Sequence, residues 1–154
     1  MNEAVVAGSL TLAALNLLAG LDGLLAYWTG EADGTAARLF WPLLRVGQGA
    51  ALTLAIAVGS LAAAGNYSTE ELFYLYALLP LAVGLFAEQL RATSAQAVLD
   101  QRGLEGSAAV AALPESEQHE LVWTIVRREL GVMTASALVV VFLAARAAGT
   151  AHGF

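Results

Sequence analysis

Residues 46–64 read VGQGAALTLAIAVGSLAAA, nineteen positions without a charge. A helix of that length and polarity is the unit that crosses a bilayer, whose hydrocarbon core takes about 20 apolar residues and no fewer than about 17. Three more stretches of this kind occur, at 4–21, 72–87 and 130–145. The stretch at 72–87 reaches spanning length only with its flanking residues, and spans are expected at about 4–28, 37–64, 71–90 and 130–148. Nearly every charged residue falls outside or at the margins of the four windows. This pattern predicts an all-α fold, a four-helix bundle embedded in a membrane, forming a single transmembrane domain over 1–154.

Composition agrees. The chain has 154 residues, of which 58% are apolar, against roughly 45–50% in soluble domains. All seven basic residues are Arg, which points to a GC-rich genome, here taken as bacterial. No Cys is present, so thiolate metal sites, iron–sulfur clusters and disulfide exchange are excluded. The two His, His119 and His152, lie outside the apolar windows, which excludes a haem held between two spans. No cofactor is expected. A net charge of −6 argues against nucleic acid as a partner. The acidic start, Met1-Asn2-Glu3, differs from the basic opening of a secretory signal, so the first span is expected to be retained.

Between the spans lie the connections. Tyr27 and Trp28 close the first span as interfacial aromatics do. Gly30-Glu31-Ala32-Asp33-Gly34-Thr35 is a turn rich in breakers. Gly65-Asn66 ends the second helix, and Ser68 with Glu71 has the spacing of a capping box for the third. That third helix carries no breaker between Ala87 and Gly103, so it is expected to leave the membrane and project about 20 Å into water. A short helix at 107–113 follows. Pro114 suits the first turn of the last helix, and Glu115, Glu117 and Glu120 suit its positive end. Leu121, Val122, Ile125 and Val126 form an apolar stripe on that helix before it enters the membrane. Helices three and four are therefore expected to extend into a cytoplasmic helical hairpin over about 88–129.

Orientation follows from Arg. Arg38, Arg45, Arg91, Arg102, Arg127 and Arg128 fall on the hairpin side, and Arg146 alone on the other. The positive-inside rule puts the hairpin in the cytoplasm and both termini outside, in the plasma (inner) membrane. A shift of 82 residues lays Leu39, Trp41, Arg45 and Gly49 on Leu121, Trp123, Arg127 and Gly131, and Gly23-Leu24 resembles Gly84-Leu85. A duplicated two-helix hairpin and the recurrence of Trp and Arg at any cytoplasmic boundary explain this equally well.

Two constellations stand out. Gly47, Ala51, Ala55, Gly59 and Ala63 recur every four residues, which would leave one face of the second helix nearly bare. Small residues let helices approach closely, either within the chain or as a homo-oligomer interface. Asp22, Arg45, Gln48, Glu88 and Arg127 lie near the inner ends of the four helices and are expected to form a polar layer of alternating sign. Charges at that depth need partners or water. The layer could take an ion, a proton or a headgroup, or fix helix register as a structural network. Asn16 is read as a helix–helix hydrogen-bonding residue, and Arg127-Arg128-Glu129 as an interfacial run that snorkels. The turn of Glu115, Glu117, His119 and Glu120 has metal-ligand residue types without a metal-site spacing, and no metal is expected there. Phosphate-binding loops, paired helical His and the Gly-x-Ser-x-Gly elbow are absent, so no catalytic residue is assigned and catalysis is not expected.

The function classes that remain are an oligomeric transporter or channel using the polar layer, and a non-catalytic accessory subunit of a larger membrane complex. A lipid-modifying enzyme has the polar layer alone in its favour. From Glu88 to Glu129 there are four Arg against seven acids, a balance that argues against binding anionic lipid through the hairpin.

Overall fold

The computed structural model describes residues 2–30, 35–104 and 106–152. It is all-α, with no strand among the described residues: α1 (Asn2–Thr29), α2 (Thr35–Ala63), α3 (Glu71–Gln101), the one-turn-and-a-half α4 (Gly106–Ala111) and α5 (Glu115–Thr150). Four of these, α1, α2, α3 and α5, are long and apolar enough to cross a membrane. The expected turn between the first two helices lies largely at 31–34, outside the described residues. The short helix falls at Gly106–Ala111, one residue ahead of its expected start and two short of its expected end.

The helices form a ring in which α1 packs on α2 and α5, and α5 on α3; α2 and α3 touch least. What each helix turns inward is a seam with alternating steps of four and three residues. On α1 it is Val5, Ser9, Leu12, Asn16, Ala19, Gly23 and Ala26. On α2 it is Ala37, Phe40, Leu44, Gly47, Ala51, Leu54 and Val58. On α5 it runs Leu130, Met133, Ala137, Val140, Ala144 and Ala147. This 3.5-residue period is that of left-handed helix packing, in which side chains of one helix seat between those of the next.

The four-residue ladder divides between the seam and the exterior. At 3.6 residues per turn a step of four overshoots by about 40°, whereas a step of seven falls short by only about 20°. Gly47 and Ala51 therefore lie on the buried seam, Ala55 is half-buried, and Gly59 and Ala63 have rotated to the exposed side. A Cβ on Gly59 would meet nothing within 4 Å, whereas one on Gly47 would lie 2.9 Å from the Asn16 amide nitrogen.

The closest approaches lie on α1. A Cβ on Gly20 would come 2.6 Å from a Leu138 methyl, and one on Gly23 would strike Thr134 Oγ1 and the Phe40 ring, the latter at 2.7 Å. Phe40 is wholly buried, so Gly23 is the bare surface against which both α2 and α5 rest. The Thr134 and Ser9 hydroxyls are buried with no hydrogen-bond partner among the described residues. Thr134 faces the Cβ-less side of Gly23, the setting in which a glycine Cα–H donates weakly to oxygen. Asn16 donates to the Leu12 carbonyl of its own helix at 3.0 Å and fills the space beside Gly47. It lies where one apolar cluster, including Leu12, Leu54, Phe73 and Val140, gives way to another around Phe40, Leu44 and Met133.

The capping box at Ser68 is not formed. The N-cap of α3 is Glu70, and it makes no side-chain cap bond. Ser68 is drawn elsewhere: its hydroxyl donates to the His152 carbonyl at 2.9 Å and accepts from the Glu70 N–H at 3.2 Å. The Thr69 N–H donates to the same His152 carbonyl at 3.0 Å. The loop after α2 is thus fastened to the end of α5. Pro114 is the N-cap of α5 rather than a first-turn residue, its carbonyl accepting from the N–H groups of Glu117 and Gln118. Pro42 and Pro80 stand inside α2 and α3, where each removes one intrahelical donor; the helices run through both.

Beyond the ring, α3 and α5 continue as a hairpin closed by α4. Val98 and Leu121 are buried, Arg102 pairs with Glu120 at 2.9 Å, and Gln118 donates to the Leu113 carbonyl at 2.8 Å. Of the expected stripe, Leu121 faces inward, Ile125 and Val126 are half-buried, and Val122 is exposed.

Because Gly23 has no room and Gly59 has open space, Gly23→Ala should destabilise the protein by about 1–3 kcal/mol, the usual cost of overpacking. Gly59→Ala should be neutral or slightly stabilising through helix propensity. Thermal unfolding of the two variants in the same detergent checks this, and equal shifts would contradict the packing described.

Candidate functional site: a polar cluster between α2 and α3

Arg45, Gln48 and Glu88 come together where α2 and α3 face each other. The reason is local: Arg45 and Gln48 are three apart on one face of α2, and Glu88 stands opposite, one residue past the buried Ala87. Arg45 Nη1 donates to Gln48 Oε1 at 2.7 Å and to Glu88 Oε1 at 2.5 Å. Gln48 Nε2 donates to the same Glu88 oxygen at 3.0 Å. The other carboxylate oxygen faces Arg91 Nε at 3.4 Å. Arg91 in turn lies over the Trp41 ring, 5.4 Å from its centroid. One carboxylate thus holds two guanidiniums and an amide across the loosest contact of the ring.

Beneath the cluster runs a cleft of about 260 Å³ walled by Ala51, Pro80, Leu81, Gly84 and Leu85. Gly84 keeps it open, since nothing lies within 4 Å of where its Cβ would be. The Arg45 side chain is 50% exposed and that of Glu88 29%. With that access to solvent or headgroups the pair contributes the modest energy of a surface ion pair, about 0.2–1 kcal/mol.

The other two members of the expected layer stand apart. Asp22 is half-buried on α1 and makes no ion pair or hydrogen bond among the described residues. Arg45, at comparable depth in the expected layer, pairs with Glu88 instead. Arg127 is on the opposite side of the ring, with its guanidinium 4.8 Å from the Tyr27 ring centroid. The reason is the ring order: α1 and α5 adjoin each other, so Arg127 meets α1, while Arg45 meets α3. Arg91 belongs to the cluster and was not anticipated, although its i,i+3 spacing from Glu88 was the available signal. The Glu115, Glu117, His119, Glu120 turn does not gather as a metal set among the described residues.

No protein-family model, curated protein or solved structure matches the chain.

A double-mutant cycle on Arg45→Ala and Glu88→Ala should give a coupling of up to about 1 kcal/mol that shrinks as salt is raised. Unfolding followed at low and high ionic strength measures it. A coupling of several kcal/mol, indifferent to salt, would mean the pair is sealed from water.

Proposed function

We propose that this chain is a four-span integral membrane protein that serves as a non-catalytic interaction subunit of a larger membrane complex. Its hairpin stands in the cytoplasm and both termini stand outside. The membrane reading is supported by matched charge-free lengths. Glu3 to Asp22, Glu71 to Glu88 and Glu129 to Arg146 each cover about 26–28 Å of helix, close to a hydrocarbon core of about 30 Å. All three Trp belong to the end where six of the seven Arg gather, as headgroup-level aromatics do.

The observation that carries the interaction reading is the hairpin. Beyond Arg91 and Trp123, where α2 and α1 still reach them, α3 and α5 hold each other through Val98, Leu121 and the Arg102–Glu120 pair. The ring interior is filled by small and apolar side chains, and its polar cluster opens sideways between α2 and α3. Such a molecule offers an arm to a partner and no passage through itself.

The oligomeric transporter remains the second reading, favoured by a groove of about 700 Å³ between α1 and α2 with Ala4, Gly8, Ala50 and Ala57 in its walls. A helix of a second copy would suit walls that low. Duplication gains support from equivalent contacts: the offsets that lay Arg45 on Arg127 and Gly23 on Gly84 also lay Glu88 on Tyr27, and Arg45 reaches Glu88 as Arg127 reaches Tyr27.

Single cysteines introduced into this Cys-free chain test the orientation. Tyr67→Cys should label with an impermeant maleimide in intact cells, and Ala111→Cys only after permeabilisation. The reverse pattern would overturn the topology. Purified in mild detergent, an interaction subunit should bring companions with it and lose them when 92–126 is replaced by a short linker. A fixed homo-oligomer without companions would favour the transporter instead.

A further inference from the structure

Arg127 and Arg128, left outside the polar cluster, line a separate recess of about 540 Å³ with Tyr27, Trp123, Thr124 and Gly131. Neither guanidinium forms an ion pair among the described residues. Arg127 lies over the Tyr27 ring, and Arg128 has one long hydrogen bond to Gln101 at 3.4 Å. Each guanidinium carries five N–H donors in a planar fork, so most of these donors have no acceptor among the described residues. The Thr124 hydroxyl is already committed to the Glu120 carbonyl. The recess is therefore a two-cation pocket with aromatic walls.

It continues into a second, apolar cleft of about 310 Å³ that shares Tyr27 and Gly131 and runs on past Leu24, Ala135 and Leu138. Gly131 is the joint: a Cβ there would lie 3.6 Å from the Tyr27 ring, and anything longer would close the passage. Cationic head and apolar tail thus lie end to end along α5, in the sense that a phospholipid has in the leaflet nearest the hairpin.

We propose that this recess binds the phosphate headgroup of an anionic phospholipid, with an acyl chain in the cleft beyond Gly131. The assignment rests on the membrane reading above. Guanidiniums match phosphate oxygens bidentately, and each cation near an anionic leaflet contributes about a fivefold preference. The acidic balance of the hairpin counts against it, but Glu115, Glu117 and Glu120 lie farther out along α5, toward the hairpin tip, and Glu129, next to Arg128 in sequence, forms no ion pair with Arg127 or Arg128 among the described residues.

The test uses the intact chain with Trp28→Phe and Trp41→Phe, leaving Trp123 as the reporter, in phosphatidylcholine bilayers. Brominated phosphatidylglycerol should quench Trp123 with an apparent affinity at least about fivefold above that of brominated phosphatidylcholine. Arg127→Gln with Arg128→Gln should bring the ratio to about one, while the corresponding pair of Lys substitutions keeps most of it. Should the double Gln variant fail to fold, Arg128→Gln alone should cut the ratio several-fold, and Gly131→Leu should do so with both charges in place. Equal quenching by both lipids in the parent would overturn the lipid site and leave the membrane reading intact. Quenching by neither would overturn both. Relief of the phosphatidylglycerol quench by millimolar inorganic phosphate would mean that the recess takes a free anion and not a lipid.

Discussion

The fold depends on how closely α1 approaches its two neighbours. If lipid surrounds the helices, no hydrophobic drive acts between them, and association comes from van der Waals contact and from the few polar groups that meet. The seam of α1 provides that contact by having almost no side chain at Gly20 and Gly23, while α2 has none at Gly47. Leu138, Phe40 and Asn16 occupy the vacated space. These are dispersion contacts at short range, and a single added methyl at Gly23 removes them from two interfaces together.

The opposite side of the ring shows what happens without that approach. Between α2 and α3 the bare position, Gly84, is met by nothing, and a cleft remains. There a carboxylate, two guanidiniums and an amide bridge the gap. If the two hairpins are copies, the pair of seams they generate has diverged. One is packed on glycine, keeps clefts beside Tyr27 and Gly131, and has its Arg on an aromatic ring. The other meets Gly84 with nothing and has its Arg on a carboxylate.

Much of this was written in the chain. The lengths of the four apolar windows, the uninterrupted run after Ala87 and the breakers around Gly103 suffice for the helices and the hairpin. Arg45, Gln48 and Glu88 could be named as neighbours because charges at equal depth must find each other. Helix order around the ring could not be read, and it decides which cations meet which partners; hence Asp22 and Arg127 were assigned to a layer they do not join. The small-residue ladder divides between the buried seam and the exposed side for a different reason. Strict four-residue spacing catches the eye in a line of text, but a helix of 3.6 residues per turn carries it off the contact face within three steps. The seven-residue spacing from Asn16 to Gly23, and from Gly47 to Leu54, was the truer signal. Ser68 was misread because a local capping rule competes with a carbonyl from the far end of the chain, 84 residues away in sequence.

The order of the ring also bears on how the protein is made. Ribosomes deliver α1, α2 and α3 before α5, yet α3 has only its thin contact with α2 to hold it to the first pair. The last helix inserts between the first and the third and fastens the α2–α3 loop through the His152 carbonyl. Until it arrives, the glycine face of α1 toward α5 is uncovered and α3 has only α2 to hold it. Assembly of the ring therefore waits on the end of translation, and a chain cut short before α5 leaves three helices with no keystone.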